Sequence, residues 1–136
     1  MTTNIKIIIA DDHPLFRGAI KRTIEDLVTV LDQNVSVTEA QSVAEVYSVL
    51  EHNDDFDLVL LDVNFPGTNG LSGLANLRGC FPLVPIAMIS GNDASDIIEL
   101  SRELGACGFL SKSAAPEAIA QSIKHLLSGE YWFPNS

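Results

Sequence analysis

The regular alternation of short apolar runs with helical patterns constrains the fold of this 136-residue chain more than any other feature. Five runs have the composition of buried or half-buried strands, and they cover 5–10, 35–40, 57–62, 85–90 and 106–110. Such strands pair in parallel through right-handed crossovers, and five units are too few to close an eight-stranded barrel. We therefore predict an α/β fold, a doubly wound five-stranded parallel sheet with the flavodoxin-like order 2-1-3-4-5.

Local signals set the ends of the predicted helices. Pro14 suits the first turn of a helix, Ser42 and Glu45 form a capping box, and Gly105 is placed to close a helix. The predicted helices cover 14–31, 42–52, a short segment that ends near 79, 93–104 and 116–129. We assign 1–128 to one domain and 129–136, which lacks periodicity, to the start of a linker.

Composition narrows the function. A formal net charge of -10 makes the chain by itself a poor ligand for DNA or RNA. We identify no signal peptide and no apolar run that could span a bilayer, so we expect a soluble cytoplasmic protein without a membrane partner. Cys80 and Cys107 lack metal-ligand spacing, and we expect two buried free thiols.

Polar side chains stand where the predicted strands end. Asp11 and Asp12 follow the first strand, Asp62 ends the third, Ser90 ends the fourth and Lys112 follows the fifth. In the order 2-1-3-4-5 these residues should meet in one crevice at the carboxyl edge of the sheet. Clustered carboxylates repel one another unless a cation neutralises them, and oxygen ligands favour Mg²⁺. The set suits phosphoryl transfer to an aspartate, with a metal and a lysine offsetting the phosphoryl charge.

Each of these residues also has an ordinary explanation. A single Asp after a strand is usually a turn former, Ser90 alone is usually a cap, and Lys112 alone is usually a surface charge. Asn64, in a loop dense in turn formers, is most often a turn residue. Their joint position at the strand ends of one fold favours a functional site.

Asp11-Asp12, Asp62, Ser90 and Lys112, in this order on five βα units, resemble the receiver domains of bacterial response regulators. The resemblance covers about 5–127 and implies that a sensor histidine kinase phosphorylates Asp62. Receiver domains are signalling phosphoacceptors that catalyse only their own phosphorylation and dephosphorylation, so we expect no enzyme in the usual sense.

The same resemblance assigns ligands and contacts. Asp12, Asp62 and the backbone carbonyl of Asn64 would hold Mg²⁺, with Asp11 supporting it through water. Ser90 and Lys112 would contact the phosphoryl oxygens.

The resemblance also assigns three further positions. Phe109, three residues before Lys112, matches an aromatic switch position that works together with Ser90, although plain core packing explains Phe109 equally well. Asn64 and Asn92 would line the mouth of the site and influence dephosphorylation.

The segment Asp11-Asp12-His13-Pro14-Leu15-Phe16-Arg17 and the pair Lys112-Ser113 are similar to the NarL/FixJ class. That class carries a C-terminal LuxR-type helix-turn-helix domain, which would bind DNA and regulate transcription; this chain contains none. The chain is therefore either a truncated regulator or a stand-alone receiver. We expect weak homodimerisation or domain release on phosphorylation, and a structural role for His13 near the mouth of the site.

Two other functions use a similar fold. A small Mg²⁺-dependent phosphohydrolase would need a second acid/base aspartate just after the nucleophile, where Asn64 stands, and a substrate-selecting cap, for which we see no insertion. A flavodoxin-like flavin protein would need a phosphate loop after the first strand, where the acidic Asp11-Asp12 pair would repel phosphate. Both rank below the receiver.

Overall fold

The computed structural model describes residues 4–31, 33–63, 70–91 and 95–134. Its strands are β1 (Asn4–Ala10), β2 (Asn34–Ala40), β3 (Leu58–Asp62), β4 (Ile86–Ser90) and β5 (Gly108–Ser111). Its helices are α1 (Pro14–Val30), α2 (Val43–His52), α3 (Gly70–Cys80), α4 (Ser95–Glu103) and α5 (Pro116–Leu127).

The sheet has the order β2-β1-β3-β4-β5, and all its pairs are parallel. This confirms the predicted fold class and strand order. Strands β3 and β4 are buried along their whole length, whereas the outer strand β2 is exposed or partly buried at every residue before Ala40. The polar residues at the ends of β1 and β3 therefore lie at the middle of the sheet.

Two apolar cores cover the two faces of the sheet. Ile7 and Ile9 of β1 face a core shared with α1 and α5, whereas Ile8 faces a core shared with α2, α3 and α4. Alternate residues of a strand point to opposite faces, so a strand buried on both sides needs the continuous apolar run that β1 has. Packing on both faces of the sheet therefore holds in position the edge at which the carboxylates lie.

The helix ends follow the predicted signals. Pro14 begins α1 at its first turn, and the Ser42 hydroxyl accepts a hydrogen bond from the Glu45 amide at 3.1 Å. The Glu45 carboxylate accepts from the Gln41 amide rather than from the cap residue itself, so the capping box closes one residue earlier than its usual form. Gly105 follows α4 with φ +99°, a left-handed conformation that glycine adopts without strain.

Three expectations need comment. Neither thiol is fully buried, so the prediction of two buried thiols is wrong: Cys80 is exposed and Cys107 is only partly buried, because each lies at or next to the end of an element rather than within it. Strand β5 begins two residues later than predicted, since the Ala106 amide still bonds back to Ser101 of α4.

The turn-rich loop before α3 lies outside the described residues. Among the described helices, none is long and apolar enough to cross a membrane.

Candidate phosphoacceptor and metal site

Two buried carboxylates meet at the carboxyl edge of the sheet. Asp11 comes directly after β1, Asp62 is the last residue of β3, and the two strands are neighbours with Ala10 paired to Leu61. Asp11 is 0% exposed and Asp62 is 1% exposed. Like charges buried within 4.8 Å of one another repel strongly, and a neighbouring cation offsets that repulsion.

Lys112 supplies a positive charge between these carboxylates. Its Nζ lies 2.8 Å from Asp11 Oδ2 and 3.0 Å from Asp62 Oδ2, and its own amide donates to the Ser90 carbonyl at 2.9 Å. Burial acts to lower the pKa of Lys112, but its contacts with Asp11 and Asp62 outweigh burial and hold that pKa above its ordinary value. Lys112 is therefore a fixed cation at the site.

His13 and Asp12 form the outer part of the site. The His13 amide donates to Asp11 Oδ1 at 2.7 Å, and His13 Nδ1 lies 3.1 Å from both Lys112 Nζ and Asp11 Oδ1. The imidazole is exposed, so His13 lies at the mouth of the site. Asp12 Oδ1 is buried without a hydrogen-bond partner among the described residues, although His13 Nδ1 lies 3.4 Å away.

The first turn of α1 adds two side chains, Phe16 and Arg17, whose contacts the sequence did not predict. Arg17 donates through Nη1 to the Asp11 carbonyl at 2.7 Å and through Nε to Glu39 of β2 at 2.8 Å. The Phe16 ring lies 5.0 Å from Lys112 Nζ, in cation–π range. The sequence signal was the position of both side chains in the helix that follows the Asp11-Asp12 pair, where a side chain can reach back to the strand end.

Of the remaining candidate site residues, two are buried in the described part of the chain and two lie outside it. Ser90 is fully buried at the end of β4, in register with Ser111, the residue before Lys112. Phe109 is fully buried in the core shared with α2, α3 and α4, with its ring packed inward. Asn64 and Asn92 lie outside the described residues.

The donor set fits a divalent metal ion. Ligand atoms of Asp11, Asp12, His13 and Asp62 all lie within 4.8 Å of one another. The buried Asp12 oxygen that lacks a hydrogen bond is the kind of atom that a bound cation satisfies. Carboxylate oxygens are the ligands preferred by Mg²⁺, so the residues present are compatible with a magnesium site.

The family profile of the response regulator receiver domain matches residues 7–124. The chain is 37% identical over 129 residues to the glycerol metabolism activator of Pseudomonas putida, covering 95% of this chain and 57% of that protein. It is 33% identical over 131 residues to a nitrate/nitrite response regulator protein homolog of Haemophilus influenzae, covering 96% of this chain and 60% of that protein. The chain thus spans somewhat more than half the length of these relatives.

Solved structures of LuxR family response regulators also align with this chain. A LuxR family DNA-binding response regulator from Silicibacter pomeroyi aligns with a TM-score of 0.77 at 30% identity, covering 96% of this chain and 97% of that chain. A LuxR family two-component response regulator from Aurantimonas aligns with a TM-score of 0.83 at 26% identity, covering 96% and 89%.

Proposed function

Since this chain belongs to the response regulator receiver family, in its NarL/LuxR branch, we propose that Asp62 accepts a phosphoryl group from a sensor histidine kinase. Receiver domains as a family are signalling phosphoacceptors, histidine kinases phosphorylate them, and some of them dimerise. The observation that carries the proposal is the contact of Lys112 with two buried carboxylates from neighbouring strands. We do not propose that the domain turns over a separate substrate as an enzyme.

The transfer is a direct displacement at phosphorus. An oxygen of the Asp62 carboxylate forms the new P–O bond while the P–N bond to the donor histidine breaks, and the electron pair stays on the leaving imidazole. Lys112 is placed to stabilise the charge on the phosphoryl oxygens, because its Nζ already lies 3.0 Å from Asp62 Oδ2. The Ser90 hydroxyl, at the end of the adjacent strand β4, would donate to another phosphoryl oxygen.

Mg²⁺ is the proposed cofactor, and it would neutralise charge on the phosphoryl oxygens when bound. Asp12, Asp62 and the carbonyl of Asn64 would hold it, with Asp11 acting through water. The buried oxygen of Asp12, which has no hydrogen-bond partner within the described part of the chain, and the oxygen-rich donor set support this assignment. Arg17, through its bond to the Asp11 carbonyl, keeps the end of β1 in place for it.

We further propose that Ser90 and Phe109 transmit the phosphorylated state, and that Asn64 and Asn92 set the rate of dephosphorylation. The position of Phe109 on the strand that leads to Lys112 supports its role. A phosphorylated state that shifts a pre-existing equilibrium would change the surface formed by α4, β5 and α5.

The relatives suggest what the signal controls. They are named as an activator and as response regulators, and the chain covers 57% to 60% of the length of the two compared above. We propose a cytoplasmic receiver of about 1–128, followed by linker residues, that regulates transcription through a DNA-binding domain outside this chain. Homodimerisation on phosphorylation is a further part of this proposal.

The test is the intact mass of the protein after incubation with acetyl phosphate. We expect one phosphoryl adduct that requires Mg²⁺ and is absent from Asp62→Asn. Asp54→Asn makes the same chemical change at an exposed carboxylate outside the site, and it should leave the adduct unchanged. An adduct of equal yield on Asp62→Asn, or one independent of Mg²⁺, would contradict the proposal.

A further inference from the structure

The segment after α5 covers the outer edge of the sheet. Strand β5 is the last strand in the order, so one of its edges has no strand partner within the sheet. Residues 130–133, here called the tail, run beside it, with Trp132 bridged in parallel to Gly108. The Phe109 amide donates to the Trp132 carbonyl at 2.9 Å, and the Trp132 amide donates to the Cys107 carbonyl at 3.1 Å. The tail is therefore held by the backbone bonds that an added strand makes.

Side chains anchor the tail to the two helices on either side of β5. The Trp132 ring stacks on His125 of α5, with centroids 5.2 Å apart and planes 13° from parallel. The Phe133 ring lies 4.4 Å from the Arg102 guanidinium of α4 and packs against the core under that helix. Tyr131, between Glu130 and these anchors, is 77% exposed. A segment tied to both helices is strained when one helix moves relative to the other, so such a movement weakens at least one anchor.

The surface that receives the tail shares a strand with the phosphoacceptor site. Lys112 directly follows β5, so it lies roughly 10 Å along the chain from Phe109, whose amide holds the tail. The tail packs tightly against β5 at Gly108, because a Cβ on that residue would lie 2.7 Å from the Trp132 carbonyl oxygen. A small shift of β5 therefore changes the contact with the tail.

We propose that the edge of β5, with Arg102 and His125 on its two sides, is a binding surface for an extended aromatic segment. The chain's own tail occupies it in this structure, and phosphorylation of Asp62 displaces the tail. The proposal rests on the proposed function and adds the route by which the signal reaches the chain beyond α5. In this route Lys112 turns from Asp11 toward the phosphoryl group, β5 and α4 shift, and the Arg102–Phe133 contact is lost.

Trp132 is the single tryptophan of the chain, so its fluorescence reports directly on the tail. We would measure acrylamide quenching of Trp132 with and without beryllium fluoride and Mg²⁺, which form a stable phosphoryl mimic, using Asp62→Asn as the control. Binding of beryllofluoride is followed independently by ¹⁹F NMR. We expect quenching to rise in the wild type toward the value of Gly108→Ala, in which the added Cβ pushes the tail away, and to stay unchanged in Asp62→Asn.

A matched pair of tail variants tests the coupling in the other direction. Phe133→Ala removes an anchor and Tyr131→Ala removes an exposed ring. Linkage requires Phe133→Ala to tighten beryllofluoride binding, by at most the factor by which beryllofluoride weakens docking of the tail, and couplings of this kind are commonly about 5-fold or more. Tyr131→Ala should leave the affinity unchanged.

The outcomes separate the two proposals. If beryllofluoride binds to the wild type but neither Trp132 quenching nor the effect of Phe133→Ala follows, tail displacement is wrong while the phosphoacceptor function stands. If beryllofluoride does not bind and acetyl phosphate leaves no adduct, the proposed function fails and this inference fails with it.

Discussion

The charges at the site predict that Lys112→Met destabilises the domain strongly when no divalent cation is present. Lys112 Nζ lies within 3.0 Å of both Asp11 Oδ2 and Asp62 Oδ2, and these carboxylates are buried. Methionine keeps most of the unbranched lysine stem and its packing but removes the charge. Two buried carboxylates then remain without their cation.

The magnitude follows from these distances. At an effective dielectric constant of about 20, each contact is worth roughly 5–6 kcal/mol of Coulomb attraction before desolvation is subtracted. Removal of one partner from a buried ion pair generally costs about 3–5 kcal/mol. Since part of the Lys112 side chain reaches solvent, we take the lower end of that range, about 3 kcal/mol. Repulsion between the remaining carboxylates makes up part of this loss, and it is the part that Mg²⁺ relieves.

The assay is urea unfolding, followed by circular dichroism, with and without saturating Mg²⁺. Lys124→Met is the matched control, because Lys124 is exposed on α5 away from the site. Without Mg²⁺ we expect Lys112→Met to lose about 3 kcal/mol and Lys124→Met to change by no more than about 0.5 kcal/mol. Mg²⁺ should reduce the Lys112→Met loss by more than half. A loss below about 1 kcal/mol, the range of a surface pair, or a loss that Mg²⁺ leaves unchanged would refute the charge argument.

Three further predictions concern pH, helix α1 and the thiols. The pKa of Lys112 is raised, so the stability that its charge gives the folded domain is complete below the ordinary pKa of 10.5 and is lost as pH rises through the raised value. The difference in unfolding free energy between wild type and Lys112→Met should therefore narrow only in strongly alkaline urea titrations. A difference that widens at high pH would contradict the direction of the pKa shift. Arg17→Met, which loses two hydrogen bonds at the ends of β1 and β2, should cost about 1–3 kcal/mol in urea unfolding and weaken Mg²⁺ binding, whereas the exposed Arg22→Met should do neither. Burial raises the pKa of the Cys107 thiol to about 11, so iodoacetamide should modify the exposed Cys80 first in a mass-spectrometric time course, and equal rates would show that Cys107 is accessible.

The fold and the centre of the site could be predicted because both follow from short-range patterns combined with one topological rule. Apolar runs predicted the strands, and the order 2-1-3-4-5 was adopted as the flavodoxin-like form of an open doubly wound sheet. The carboxyl ends of parallel strands stand at one edge of a sheet, and Asp11, Asp62 and Lys112 were therefore expected there. Their ion pairs at 2.8 and 3.0 Å agree with that expectation. The roles of these residues in phosphoryl transfer stay predictions.

The contacts that were missed depend on long-range geometry that local patterns do not contain. The Arg17 side chain joins the end of β1 to Glu39 of β2, and Glu39 lies 22 positions beyond Arg17 in the sequence. Trp132 and Phe133 lie in an aperiodic segment, and nothing in that segment shows that it returns to the edge of β5. Cys80 has apolar neighbours in sequence, yet it is exposed at the end of α3.

The central claim is that Asp62, and no other group of the cluster, receives the phosphoryl group. The most direct measurement is to locate the adduct by borohydride reduction of the acetyl-phosphate-treated protein, proteolysis and tandem mass spectrometry. We predict that the reduced residue is Asp62 alone. A modification at Asp11 or Asp12, or a phosphoryl group on His13, would contradict the claim.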